Sequence, residues 1–506
     1  MTTKHILSGG ITLLLASSAF AATAADSTEQ PAAKPEKKPE PKSDALTFAN
    51  GHLTLDFEER LRWEIRDNNR DFDKSVNDVR DDGWVLSRFR LGLAVKPADW
   101  LKIYAQVQDT REWFGGRGNV PGINGVEGGD YFDLRQLYVE LGNVKQFPLT
   151  LTVGRQPLNY GDNRLVADSK WGNFGRTYDG VKLRLQTEKF WVDAFAVRPV
   201  QIRKNEINDS DSTDNFFGIY GGTDILGFQT TELYFLYRDK ADAQPDLDPT
   251  NKTNADGSYN GPAQRIATLG TRWKSKPGAL HGFDYSAEFA YQFGNLWTGD
   301  KTTKRLNHHA LALAITGGYT WENAPWKPRI GIEYDYASGD RNSKDGSSQS
   351  FQNLFPSNHA NYGIMDEFAW RNLHDLRLSL SAKPLKNVEV TLDYHAFFLA
   401  ETTDYWYGSN GNSTLRTTTP SKTTTTTTTS MGVTTVKKVT TPGRDVRTIG
   451  ASGFAGHEID FTANWKVNQH LSLLVGYSHF FAGDYLRQTG TASDADFGYL
   501  QATLSF

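Results

Sequence analysis

Cysteine is absent from this chain of 506 residues, and long apolar runs are almost absent as well. The fold therefore cannot depend on disulfides. Beyond the N-terminus no apolar run approaches the ~18 residues that a membrane-spanning helix needs, and the mean hydropathy is −0.54. These absences exclude a helical membrane protein. Compact βα alternation and heptads are also missing, so one large repetitive β architecture is the remaining interpretation.

The motifs of common enzyme chemistry are missing too. The sequence has no nucleophile elbow, P-loop, HExxH helix or Rossmann fingerprint. Glu333 and Asp335 could act as general acid and base, but no nucleophile motif accompanies them. Residues 246–256 are rich in oxygen ligands but lack EF-hand spacing, so we interpret them as an exposed acidic loop rather than a calcium site. We predict a protein that is not an enzyme and has no cofactor, metal or nucleic-acid partner.

The first 45 residues have the composition of targeting and tail segments. Lys4 precedes an apolar run at residues 6–20, and small residues follow at positions 19, 21, 22 and 24. This order predicts a signal peptide over residues 1–25, with a membrane anchor as the alternative. Residues 26–45 combine proline with charges of both signs and have little to bury. We expect them to form a disordered periplasmic tail.

Residues 52–66 (HLTLDFEERLRWEIR) alternate with a period of two. Apolar side chains fall on one face and polar or charged side chains on the other, with Glu59 as the exception. A soluble strand usually shows this pattern over about five or six residues. A tilted strand that crosses a bilayer needs about 9–11, and its lumen face can carry full charges. The stretch therefore predicts the first strand of a transmembrane β-barrel.

The same alternation recurs along the rest of the chain. The predicted strands cover residues 52–66, 84–95, 100–110, 132–141, 149–156, 179–187, 190–198, 215–222, 229–238, 264–273, 283–293, 308–321, 328–338, 373–383, 388–399, 457–465, 471–481 and 496–506. Their connections alternate strictly between short and long, which is typical of outer-membrane barrels with short periplasmic turns and long extracellular loops. We predict an all-β fold, a transmembrane antiparallel barrel of about 18 strands over residues 46–506.

Aromatic residues near the predicted strand ends fit the girdles of a barrel. The tryptophans concerned are Trp63, Trp84, Trp100, Trp191, Trp273, Trp321 and Trp465. The chain also closes on Phe506 after an alternating strand, which resembles the signal that outer-membrane assembly machinery reads.

Residues 412–446 form a threonine-rich insertion in the longest predicted loop. Because polythreonine cannot build a packed core, we predict a flexible surface loop there. An adhesin-like role is the alternative.

Two longer segments resemble the alginate export family of outer-membrane barrels. Residues 153–185 read VGRQPLNYGDNRLVADSKWGNFGRTYDGVKLRL, and residues 329–407 contain GIEYDYASGDRN and FQNLFPSNHANYGIMDEFAWRNLHDLRLSLSAKP. The resemblance covers most of residues 46–506 and implies an eighteen-stranded channel; in the best-known member, arginines line the lumen and pass an anionic uronate polymer. The loop-motif residues it marks are Arg155, Tyr160, Asp162, Arg164, Trp171, Asn358, His359, Tyr362, Asp366 and Trp370.

Alternation along the strands also predicts which charges face the lumen. The basic residues proposed for a substrate path are Arg60, Arg62, Arg88, Arg90, Lys182 and Arg184. The first four should lie at similar height on neighbouring strands, where their guanidiniums repel each other unless an anion lies between them. They either line a path for carboxylate-bearing sugars or organic acids, or pair with Glu58 and Glu64 as structural bridges.

Later strands contribute inward acids that would form a second wall of opposite charge. These are Glu333, Asp335, Glu389, Asp393, Glu458 and Asp460. Opposed walls would orient a dipolar solute. The two motif loops, residues 157–178 and 339–372, place aromatics among glycine and asparagine, so we expect them to pack on themselves or fold into the pore. Their aromatics could stack on sugar rings or hold the loops in place.

These patterns predict a passive pore in the outer membrane of a Gram-negative bacterium, for an anionic saccharide such as a uronate polymer or oligomer, or for a small organic acid. The alternatives are a general diffusion porin with little selectivity and a surface-binding barrel plugged by its loops. The expected partners are outer-membrane lipid and the solute, with periplasmic export components as a further candidate.

Overall fold

The computed structural model describes residues 46–75, 81–115, 129–203, 206–241, 263–297, 304–409, 411, 414–430 and 433–506. The predicted signal peptide and tail, residues 1–45, lie outside this part of the chain, and so does the calcium candidate at residues 246–256.

Eighteen long strands, numbered here in chain order, build the fold. They are β1 Leu53–Asp67, β2 Gly83–Ala98, β3 Leu101–Trp113, β4 Asp130–Leu141, β5 Leu149–Gln156, β6 Tyr178–Gln186, β7 Phe190–Gln201, β8 Asp214–Thr223, β9 Gln229–Lys240, β10 Gln264–Ser275, β11 Phe283–Trp297, β12 Arg305–Thr320, β13 Arg329–Ala337, β14 Leu373–Leu385, β15 Val388–Phe398, β16 Phe454–Lys466, β17 Leu471–Ala482 and β18 Ala495–Ser505. Each overlaps one predicted strand, so the period-two interpretation is confirmed.

Antiparallel pairing closes these strands into a barrel. Each strand pairs with its neighbours in the chain, and β1 also pairs with β18, where Leu61 lies opposite Ala502. The connections alternate in length as predicted: residues 99–100 join β2 to β3, whereas residues 338–372 join β13 to β14. The predicted barrel is therefore confirmed, with short turns at one end and long loops at the other.

The side chains of β1 show how the barrel faces its surroundings. Leu61, Trp63 and Ile65 are 47%, 51% and 50% exposed, while Arg62 and Glu64 between them are fully buried. This is the reverse of a soluble protein, in which charged groups are rarely buried. Lipid outside and a polar interior account for it. No helix among the described residues is long and apolar enough to cross a membrane.

The predicted aromatic girdle is only partly right. Five of the seven tryptophans face outward with at least 37% of their surface exposed: Trp63, Trp100, Trp273, Trp321 and Trp465. Trp84 instead is 1% exposed because it lies opposite the inward Glu64 in the register of β1 and β2. Trp191 also points inward, where its ring stacks 5.8 Å from that of Tyr220.

Two long loops, residues 157–177 and 338–372, fold into the barrel, as predicted. They pair with each other through a parallel bridge between Val166 and Phe355. The Phe355 amide donates to the Leu165 carbonyl at 2.9 Å, and the Ala167 amide donates back to the Phe355 carbonyl at 2.9 Å. The side chains of Leu165, Val166 and Phe355 are buried. The two loops thus form one packed unit within the lumen.

Aromatic side chains from four loops fill the end of the barrel that carries the long loops. Trp406 stacks on Phe72 with ring centroids 5.6 Å apart and on Phe368 at 4.8 Å, and it meets Tyr485 edge-on at 6.0 Å. All four rings are buried. This cluster joins the loops that follow β1, β13, β15 and β17.

The threonine-rich insertion differs from its prediction as a flexible loop. Lys422–Ser430 pairs antiparallel with Val433–Thr441, and Thr423 lies opposite Thr440. Threonine is β-branched and favours extended backbone, so the two segments pair as strands.

Glu367 lies in the inward loop between β13 and β14, outside the spanning strands, and is fully buried. Its Oε1 accepts a hydrogen bond from Asn69 Nδ2 at 2.8 Å, which ties this loop to the one after β1. Burial raises the pKa of Glu367 to about 7, against the opposing effect of Arg70 and Arg66. Its carboxyl group therefore titrates near neutral pH.

We expect the loop packing to weaken as the pH rises toward about 7, because a carboxyl whose pKa is raised by folding stabilises the packed state fully below its ordinary pKa and loses that contribution between the ordinary and the raised value. Open events in planar bilayers should become more frequent between about pH 4.5 and about pH 7 and should level off above that range. Glu367→Gln should remove this dependence, whereas Glu401→Gln, at a residue paired with the exposed Arg341, should keep it. An unchanged pH profile in Glu367→Gln would contradict the assignment.

Candidate substrate path in the barrel lumen

The four arginines predicted to cluster do lie together on β1 and β2. Arg60 lies opposite Arg88 in the register, and Glu58 lies opposite Arg90. Arg60, Arg62, Arg88 and Arg90 face inward and are no more than 7% exposed. Alternation along the two strands therefore placed these side chains correctly.

The inward loop between β5 and β6 covers this arginine cluster. Its residues 170–174 present backbone carbonyls to all four guanidiniums. The contacts are Arg60 Nη1 to Lys170 O (3.0 Å), Arg62 Nη1 to Trp171 O (2.8 Å), Arg88 Nη1 to Gly172 O (3.0 Å) and Arg90 Nη2 to Phe174 O (3.2 Å).

Carboxylates reach only part of the cluster. Glu64 pairs with Arg62 at 2.6 Å, and Glu58 pairs with Arg88 at 2.8 Å. Arg60 makes no ion pair with any described residue; besides the loop carbonyls, its Nη2 donates to the Asn173 side-chain oxygen at 3.0 Å. A buried guanidinium is thus held by neutral oxygens alone.

Arg135 on β4 belongs to the same cluster, although the alternation of polar and apolar residues along the strand did not predict that it faces the lumen. Its Nη1 donates to Gln106 Oε1 at 2.9 Å, and its Nη2 lies 3.9 Å from Asp168 Oδ2. Between Leu134 and Gln136 the register of β3 and β4 shifts, and the extra residue of this bulge breaks the period of two. The consecutive polar residues Arg135 and Gln136 were the only sequence signal.

Trp171 connects the two inward loops. The guanidinium of Arg62 lies 3.7 Å from the centroid of its ring. On the Trp171 ring, His359 stacks at 3.5 Å and is nearly parallel, and His359 Nδ1 lies 2.9 Å from Asp366 Oδ2. These motif residues hold the loops to each other and to the wall.

Arg164 brings the first inward loop to the acidic wall. It is 4% exposed, and it donates to Glu333 and, at 2.8 Å, to the Tyr362 hydroxyl. Asp335 Oδ1 lies 3.1 Å from its Nη1. Arg377 of β14 donates to Glu333 as well. The charges of Glu333 and Asp335 are therefore balanced by arginines rather than open to the lumen.

The other four predicted acids lie in different surroundings. Glu458 accepts a hydrogen bond from the Met365 amide at 3.0 Å, and Asp460 accepts one from the Ile364 amide at 3.2 Å. Asp393 lies opposite Asp460 in the register. Glu389 is exposed near the short-turn end, 3.8 Å from Lys383 Nζ. Two acids of the predicted wall, Glu458 and Asp460, thus hold the inward loop between β13 and β14.

The remaining motif residues are spread around the barrel. Tyr160 donates to Asp193 at 2.9 Å, and Arg184 pairs with the same carboxylate at 2.6 Å. Lys182 is half-buried in the lumen and has no ion pair among the residues described. Asn358 donates to the Ser409 carbonyl.

Two more motif residues have structural surroundings of their own. Trp370 is fully buried, edge-on to Phe351 at 5.3 Å. Arg155 lies at the end of β5 and pairs with Asp179 at 2.8 Å.

A cavity of about 680 Å³ opens beneath the inward loops, toward the short turns. Asp162 lines it and is contacted by Lys274 Nζ at 2.6 Å, Arg272 Nη1 at 3.1 Å and Ser286 Oγ at 3.0 Å. Burial opposes ionisation of Asp162, but Arg272 and Lys274 outweigh it and lower its pKa to about 2. Within the described residues, no group of three or more histidine, aspartate or glutamate side chains is arranged to hold a metal.

Comparison with known proteins places this lumen in context. The chain resembles solved barrels at low sequence identity, which shows the fold alone. OccAB3 of Acinetobacter baumannii has a TM-score of 0.55 and 10% identity, over 90% of this chain and 99% of that one. OccD3 (OpdP) of Pseudomonas aeruginosa has a TM-score of 0.53 and 10% identity, over 92% of this chain and 94% of that one. OpdK of the same organism, solved with vanillate, has a TM-score of 0.53 and 10% identity, over 90% of this chain and 98% of that one.

No curated protein sequence matches the chain. The family model described as alginate export matches residues 52–499, which include nearly the whole barrel. The chain therefore belongs to the alginate export family of outer-membrane β-barrels.

Proposed function

We propose that the protein is an outer-membrane channel for an anionic saccharide, such as a uronate oligomer or polymer, or for a small organic acid. Family membership and the closed eighteen-stranded barrel support a channel rather than an enzyme. The choice of an anionic solute rests on the arginine cluster of β1 and β2.

The contacts of Arg60 are the main support for an anionic solute. Its guanidinium is 2% exposed and its acceptors are neutral oxygens of the inward loop. A carboxylate adds a Coulomb attraction that a neutral carbonyl oxygen lacks, and the planar guanidinium fits a carboxylate with two parallel bonds. A carboxylate that reaches Arg60 therefore competes favourably with the loop carbonyls.

Lys182 offers a second point of attraction nearer the short turns. It projects inward from β6, is half-buried, and has no ion-pair partner among the described residues. A solute released from the arginine cluster would meet this ammonium before it leaves the barrel. One similar barrel was solved with vanillate, the anion of a small aromatic acid, which is consistent with a carboxylate as the solute.

A loop-plugged binding barrel is the second candidate, because the buried aromatics of four loops fill the outer half of the lumen. The two candidates differ in transport. Uptake of uronates into liposomes that contain the protein favours the channel, whereas binding without uptake favours the plug. A general porin would pass neutral sugars of the same size equally well.

Replacing Arg60, Arg62, Arg88 and Arg90 together by serine should lower the ratio of anion to cation permeability at least about threefold, because the positive charge that attracts anions into the pore is removed. Reversal potentials in planar bilayers under a salt gradient measure this ratio. Uronate added to one side should block the native pore and not the variant.

A single-residue variant of the site and a control variant accompany this experiment. Arg60→Ser alone leaves no carboxylate unpaired, so it tests the site even if the fourfold variant folds poorly. Arg265→Ser removes a charge at the outer surface, where Arg265 is paired with Asp239 at 3.2 Å, and should not change selectivity. Unaltered anion preference in Arg60→Ser and in the fourfold variant would remove the basis for an anionic solute.

Trp171→Ala should open the pore more often, since it removes both the contact with Arg62 and the stack on His359. These contacts are together worth about 2 kcal/mol, and a loss of that size should raise the frequency of open events at least about tenfold. Single-channel recording measures it, with the lipid-facing Trp63→Ala as the control. A pore that stays as closed as the native one would show that Trp171 does not hold the loops.

A further inference from the structure

The lipid-facing surface of β5 to β9 contains a groove of about 420 Å³ with almost no polar atoms. Alanine makes it possible: Ala194 and Ala196 of β7 lie on its floor, and larger side chains rise on both sides. The side chains that form the walls are Leu183, Phe217, Ile219 and Phe235, each at least 39% exposed.

Strand register fixes the direction of the groove. Leu183 lies opposite Ala194, which lies opposite Ile219 on β8. The next row, toward the long loops, places Ala196 opposite Phe217. The recess therefore follows β7 toward the end of the barrel that carries the long loops.

A row of polar residues closes the groove at that end. Arg155 Nε and Nη2 donate to the two oxygens of Asp179 at 2.8 and 2.9 Å. Arg198 lies opposite Asp179 in the register, and its Nε donates to the Asn215 side-chain oxygen at 2.9 Å. Asp179 thus pairs with Arg155, and the exposed Arg198 has no ion pair among the residues that the structure describes.

Arg265 shows that this arrangement is not general. It also lies at the outer end of a strand with its side chain exposed, but its Nε is 3.2 Å from Asp239 Oδ1. Its charge is balanced by that carboxylate.

We propose that the groove and Arg198 form a binding site for an outer-leaflet lipid with a phosphorylated headgroup. An acyl chain occupies the recess over Ala194 and Ala196, where it gains van der Waals contacts with the walls of the groove. The phosphate lies against Arg198, whose planar guanidinium is suited to phosphate oxygens. Because the long loops of an outer-membrane barrel face outward, this end meets the outer leaflet. The site rests on the membrane location and not on the solute that the lumen passes.

The full-length protein in bilayer nanodiscs tests the site. Nanodiscs of phosphatidylcholine are doped with a phosphorylated, multiply acylated glucosamine disaccharide, and native mass spectrometry counts the lipid that stays with the barrel after gentle activation. The native protein should retain one copy. Arg198→Ser should retain at least about tenfold less, since a charge-assisted contact is lost, and Ala196→Phe should do the same by filling the recess.

Two control variants test whether loss of any surface arginine, or added bulk anywhere on the lipid face, also lowers lipid retention. Arg265→Ser removes an equivalent surface arginine, and Ala105→Phe adds the same bulk on the lipid face of β3; both should retain the lipid like the native protein. Heat-modifiable mobility in electrophoresis reports whether each barrel is closed, and Ala194→Leu replaces Ala196→Phe if the latter fails to close. Equal retention in all closed variants, or retention of phosphatidylcholine in place of the phosphorylated lipid, would overturn the site.

Discussion

The backbone of a protein in hydrocarbon must satisfy its own hydrogen bonds, because no water is present to do so. In this chain the pairing of β1 with β18 meets that requirement. The Phe57 amide donates to the Phe506 carbonyl at 3.1 Å, and the Phe506 amide donates back to the Phe57 carbonyl at 3.0 Å. Once the sheet is closed, every second side chain must point inward, so the polar half of each strand becomes the wall of an enclosed aqueous space.

The inward charges then need partners, and the loops supply them. Carbonyls of residues 170–174 cover the arginines of β1 and β2, while Arg164 reaches the acids of β13 from the other side. The same loops that occupy the lumen are therefore anchored by the groups that a charged solute would use. Entry of an anion and displacement of the loops are, in this arrangement, one competition for the same guanidiniums.

Sequence reasoning succeeded where one local rule governs a side chain. Alternation gave all eighteen strands and the inward direction of Arg60 and Arg88, because the rule acts over a few residues. It failed at Arg135, where a bulge adds a residue, and at Trp84, where proximity to a strand end said nothing about direction. The ion pair of Arg164 with Glu333 was out of reach, since it joins a loop to a distant strand through tertiary packing alone.

The parallel bridge between Val166 and Phe355 has a mechanical consequence. Two loops that share backbone hydrogen bonds cannot retract one after the other without leaving amide and carbonyl groups unpaired in a crowded interior. They are bound to travel as a single body. A conduit built in this way switches between discrete levels and does not widen gradually, so its current should change in steps of uniform height.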